Sequence, residues 1–117
     1  MNKKRKAIIE KEIMKVISNL LFLEIKNPKV KEGMISVTKV DISNDMRYAD
    51  VYFSVLPYKD EEVDKDKVLQ GLNEVRSFMR KRVGEEINLR YTPEIRVHID
   101  DTISYGVRIS KLINDLK

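Results

Sequence analysis

Residues 33–56, GMISVTKVDISNDMRYADVYFSVL, constrain the fold more than any other stretch, because they read as two amphipathic strands folded back through a short polar turn. In the second strand Ala49, Val51, Phe53 and Val55 share one parity, while Asp50, Tyr52 and Ser54 share the other. That period of two belongs to a sheet with one packed face and one wet face, and the packed face needs helices to cover it. The first strand begins with Ile35 and Val37 as its apolar set and then changes parity to Val40 and Ile42. One extra residue at Thr38 or Lys39 restores the facing, so the pattern predicts a β-bulge there. Ser43, Asn44 and Asp45 supply the turn: their short side chains bond the local backbone, and Asn and Asp tolerate positive φ.

The covering helices are visible on either side. Ile9, Ile13, Val16, Ile17, Leu20 and Ile25 recur at helical spacing and predict a helix from about residue 3 to about residue 25, stopped by Asn27-Pro28. Lys4, Lys11 and Lys15 then lie on another face, free for a polyanion. A second helix begins in DEEVDKDK, with Asp64 or Asp66 as its cap, and carries Val68, Leu72, Val75, Met79 and Val83 on its apolar stripe. Arg76, Arg80, Lys81 and Arg82 crowd its other side before Gly84, which offers a C-terminal cap. Cations at a helix C-terminus complement its dipole, but four within seven residues exceed that need, and guanidinium groups grip phosphate bidentately.

A third strand is expected over 88–99, with Leu89, Tyr91, Ile95, Val97 and Ile99 on one parity. Pro93 lacks a ladder donor and must sit at an edge, at a bulge or where regular pairing starts. Arg90 and Arg96 are candidates for RNA contact or, equally, for cross-strand pairing with the acidic hairpin near Asp50. Ile109, Leu112, Ile113 and Leu116 predict a short C-terminal helix after Thr102 or Ser104.

Composition narrows the function classes. With 117 residues the chain can bury roughly two-thirds of its unfolded surface, and one domain over 1–117 is expected. At 42% hydrophobic and 36% charged it reads as an ordered domain with a heavily charged surface. It has no cysteine, which excludes disulfides and thiolate metal sites, and no run suited to a bilayer, so a cytoplasmic protein without membrane contact is expected. The net charge of +4 conceals segregation: residues 1–31 carry nine Lys or Arg against three Glu, whereas residues 32–66 carry four against nine acids. Such a dipolar molecule turns one face toward a polyanion. Catalysis is not expected: His98 is the only histidine, no nucleophile or pocket motif accompanies it, and the four glycines form no phosphate-cradling loop.

The order helix, strand, strand, helix, strand, short helix is α+β with the connectivity of a type II KH-like domain, a three-stranded sheet with helices on one face. EIKNPKV, then VTKVDISNDMRYADVYFSV, then LNEVRSFMRKRVGEEINLRYTPEIRVHIDDT and the Gly-x-Arg-Ile of Gly106 to Ile109 resemble the ribosome-binding factor A family over nearly the whole chain. The resemblance implies a non-catalytic, cofactor-free assembly factor that binds the immature small (30S) ribosomal subunit near the 5′ end of its 16S rRNA and the decoding region. It implies help with late maturation and 5′-end processing, adaptation to cold, and a ribosome-assembly GTPase as a further partner. The family carries an Ala-x-Gly interhelical kink in place of the usual KH Gly-x-x-Gly loop, and the matching positions are Val75, Arg76 and Ser77. Ser77 is expected to bond back one turn and bend the helix modestly. A general single-stranded RNA-binding KH-like protein is the alternative. Nothing in the pattern demands more than a monomer.

Overall fold

The computed structural model describes residues 2–58 and 62–100, so the predicted C-terminal helix lies outside the described residues. The elements are α1 (Lys3–Leu23), a 3-10 turn at Val30–Glu32, β1 (Met34–Ile42), β2 (Tyr48–Leu56), α2 (Lys65–Glu74), α3 (Arg76–Glu86) and β3 (Glu94–Ile99). This is an α+β fold. The strands lie in the order β1-β2-β3, with β1 antiparallel and β3 parallel to β2. The helices cover one face, and all six residues of the predicted α1 stripe are buried there. Phe53, fully buried on the central strand, belongs to the same core as Ile13 and Ile17 of α1, Leu72 of α2, Met79 of α3 and Ile95 of β3. Truncating one of the larger aliphatic side chains here to alanine costs about 2–5 kcal/mol.

The hairpin follows the sequence reading except at Ser54, which was expected on the wet face but is buried, its hydroxyl hydrogen-bonded to that of Ser36 across the strands at 2.6 Å. Val37 pairs with Phe53 and Lys39 with Tyr52, which places the bulge at Thr38. Thr38 Oγ1 donates to Asp100 Oδ2 at 2.8 Å, tying the bulge to the residue after β3. In the turn the Ser43 hydroxyl donates to Asp45 Oδ1 and accepts from the Tyr48 amide, while Asp45 Oδ1 also accepts from the Arg47 amide. The residue that takes positive φ is Met46, at 65°, rather than Asn44 or Asp45, both of which are exposed. A non-glycine residue in the left-handed region costs about 1–2 kcal/mol. At the outer edge of β1 the Ile42 amide, which has no strand to pair with, donates to Glu10 of α1 at 2.8 Å.

Three boundaries differ from expectation. α1 ends at Leu23, although Ile25 stays buried with its amide on the Leu20 carbonyl at 2.8 Å. β3 is only Glu94–Ile99. Glu94 pairs with Tyr48, the first residue of β2, so residues 88–93 have no strand alongside them, and Pro93 stands where regular pairing starts. The second helical segment is two helices broken at Val75, one of the three positions matched to the family's kink, which sits at φ −99°, ψ 7°. Asp64 caps α2 by accepting from the Lys67 amide. The side chain that bonds back one turn near the break is Asn73, to Leu69 O at 3.1 Å, and Ser77 is exposed. α3 continues through Gly84 to Glu86, so Gly84 is not the cap. Its role is close approach, since a Cβ there would come within 2.9 Å of Thr92 Oγ1. Gly71 does the same for α2, where a Cβ would meet Lys29 Cβ at 2.7 Å.

Candidate nucleic-acid interface

Because the apolar stripe of α1 faces the sheet, its cations are forced outward. Asn2 caps the helix by accepting from the Lys4 amide at 2.8 Å. Lys4, Ile8, Lys11 and Lys15 follow at steps of four, three and four, all exposed and along one line of the helix. Among the described residues no ion pair holds Lys4, Arg5, Lys11 or Lys15, and Arg90 has none either.

The α3 cations divide. Arg76 is exposed, with Nη1 3.4 Å from Asn73 Oδ1, and Lys81 is exposed. Arg80 is half-buried and donates to Thr92 O at 3.0 Å, bracing the segment that leads into β3. Arg82 Nη1 lies 2.6 Å from Glu24 Oε1 and Nη2 2.8 Å from Glu86 Oε1. Its buried Nε lies 3.5 Å from Glu85 Oε2 without a hydrogen bond of its own. The Glu86 and then the Glu24 carboxylate raise the Arg82 pKa further above its ordinary value. Arg82 therefore fastens α3 to the end of α1, and its charge is already answered. Lys4 and Glu24 stand about 30 Å apart along the helix, so Lys4 and Arg82 mark opposite ends of this side.

Lys15 and Arg90, far apart in sequence, come together through a residue the sequence reading passed over. A cleft of 570 Å³ between α1 and residues 86–89 includes Arg5, Lys15, Asn19, Asn88 and Leu89 in its walls. A smaller one, 320 Å³, is lined by Arg5, Met46, Leu89, Arg90 and Tyr91. Arg5 and Leu89 line both, joining them. Arg5 could have been singled out from its place one turn before Ile9, at the border of the buried stripe; its neighbourhood to Arg90 could not, since that depends on how residues 88–93 cross α1.

The open face of the sheet is also polar and aromatic, but its groups answer one another. Arg96 Nε and Nη2 grip Asp50 at 2.8 Å each, and His98 Nε2 donates to Asp50 Oδ1 at 2.7 Å. The Arg96 guanidinium lies 4.3 Å from the Tyr48 ring centre and His98 stacks on Tyr52 at 4.8 Å. The Arg96 fork, and with it His98, holds the Asp50 carboxyl below the usual carboxylate range. Of the two readings open for Arg96, the cross-strand pairing is the one formed. No cluster of metal-ligating side chains occurs among the described residues, and no described helix is long and apolar enough to cross a membrane.

The chain's relatives have the same arrangement of elements. A ribosome-binding factor A from Thermus thermophilus matches the structure with a TM-score of 0.68 at 15% identity, over 80% of this chain and 93% of its own. Another T. thermophilus ribosome-binding factor A structure, fitted into the electron cryo-microscopy map of a 30S complex, matches with a TM-score of 0.63 at 14% identity, over 82% of this chain and 96% of its own. In sequence the chain is 50% identical over 120 residues to ribosome-binding factor A of Fusobacterium nucleatum, covering 100% of this chain and 99% of that protein. The family model for ribosome-binding factor A spans residues 5–113, taking in the basic helix, the bulged hairpin and the broken helix alike, and the chain belongs to that family.

Proposed function

We propose that this protein binds the immature small ribosomal subunit and assists late maturation of its 16S rRNA, including 5′-end processing and growth in the cold, without catalysis of its own. The observation that carries the reading is the exposed line of α1 lysines on a member of the ribosome-binding factor A family. A relative seen in a 30S complex supports the choice of partner. The whole chain acts as one KH-like unit that works as a monomer in the cytoplasm, and the break at Val75, Arg76 and Ser77 takes the place of the Gly-x-x-Gly loop. A ribosome-assembly GTPase is the further partner this reading implies.

Lys4, Lys11, Lys15, Arg76, Lys81 and Arg90 are the exposed cations assigned to rRNA; Arg80 and Arg82, bound internally, support them by fixing α3. If those six meet phosphates, log affinity for the particle falls with log salt at a slope of about −4 to −5. A strain lacking the protein is expected to accumulate small-subunit rRNA with an unprocessed 5′ end, more so in the cold. Normal processing at low temperature would remove the assembly role.

A further inference from the structure

We infer that the joined clefts beside α1 take an unpaired stretch of RNA, with a base stacked on Tyr91 and its flanking phosphates held by Arg5, Lys15 and Arg90. The inference rests on the ribosomal reading and says what form of RNA this face accepts. At 570 and 320 Å³ the clefts are of the size that encloses compact chemical groups, roughly 300–1,000 Å³. Their cations sit at both ends, Lys15 on one cleft, Arg90 on the other and Arg5 where they meet. Glu12 and Glu86 also line the larger cleft, but Glu86 is taken by Arg82, so positive charge prevails.

The aromatic side chain decides between a single strand and a duplex. Tyr91 is 56% exposed, beside the cleft cations, and its ring makes no stacking or cation contact with a described residue. Tyr48 and Tyr52, on the open sheet face, are already covered by Arg96 and His98. Phe22 and Tyr58 are exposed too, but they line a separate groove whose only cation among the described residues is Lys31. A duplex keeps its bases stacked inside and presents phosphates on a convex surface, so it has no free base face for the Tyr91 ring and no free pairing edge for the exposed Asn19 and Asn88 on the cleft walls. An unpaired base offers a π-face to the ring and an edge to those amides, which both donate and accept.

The test titrates the full chain with an unstructured single-stranded oligoribonucleotide and with the same strand in a duplex, at several salt concentrations. The single strand should bind more tightly, and Tyr91→Ala should weaken it by about 5- to 100-fold while Tyr91→Phe keeps nearly the wild-type affinity. Arg5→Ala with Arg90→Ala should reduce the salt slope by about 1 to 2. Duplex preferred over single strand, or Tyr91→Ala binding as wild type does, overturns the inference. If Tyr91→Ala is neutral while small subunits still bind, the ribosomal reading stands without this groove; wild-type protein that binds neither RNA nor small subunits ends both.

Discussion

The α1 side and the open face of the sheet contain similar residues arranged to opposite effect. On the sheet, Arg96 is locked between the Asp50 carboxylate and the Tyr48 ring, and His98 between Asp50 and Tyr52. Along α1, Lys4, Lys11 and Lys15 project from a helix whose opposite face is buried, with no carboxylate paired to them among the described residues. Strand registry places Asp50 directly beside Arg96, so charges on the sheet find partners within the fold. A single helix stripe of like charge has no neighbouring element to answer it, and its field extends to solvent. Counting basic residues therefore says little about where a polyanion binds; what matters is which cations the fold leaves unanswered.

The largest effect should come from reversing that stripe. Lys4→Glu, Lys11→Glu and Lys15→Glu together should reduce the salt slope of small-subunit binding by about 2 to 3, while Lys31→Glu, at the other end of the molecule, leaves it unchanged. Particle binding that keeps its slope through the triple reversal, in a protein folded by circular dichroism, would erase the contrast between the two faces. Arg82→Ala should do the reverse. It disconnects Glu24 at the end of α1 from α3 and removes the Arg82 partner of Glu86 within α3, so the melting temperature falls, but the salt slope of binding stays as in wild type. A reduced slope in this variant would return Arg82 to the interface.

The smallest effect concerns the sheet cluster and depends on pH. Arg96 and His98 lower the Asp50 pKa from its ordinary 3.8, so their stabilisation is present above the unfolded value and lost as pH falls through the folded one. The stability gap between wild type and Asp50→Asn, followed by thermal melts, should be widest above the ordinary carboxylate pKa and narrow as the pH falls through the lowered Asp50 pKa. A gap constant through that fall would mean the Asp50 charge contributes nothing to the fold.

Local pattern settled much of the molecule. The parity of Val51, Phe53 and Val55, the change of parity around Thr38 and the spacing from Ile9 to Ile25 each depend on neighbours a few residues away, and the structure buries or bulges them accordingly. The charge segregation that makes the first helix strongly basic is likewise written along the chain. What needed the tertiary structure was every property that joins distant segments. β3 starts at Glu94 because β2 starts at Tyr48, a fact that no pattern within 88–99 contains. Gly84 and Gly71 are set by the approach of Thr92 and Lys29 rather than by a helix end. Arg82 looked like its neighbours Arg76 and Lys81 until Glu24 was brought to it across 58 residues. Arg5, Lys15 and Arg90 came to line two adjoining clefts only when residues 86–91 were placed beside α1. The physical reason is common to all of these: burial periodicity is set by the geometry of a single element, whereas the pairing of a charge depends on which other element packs beside it.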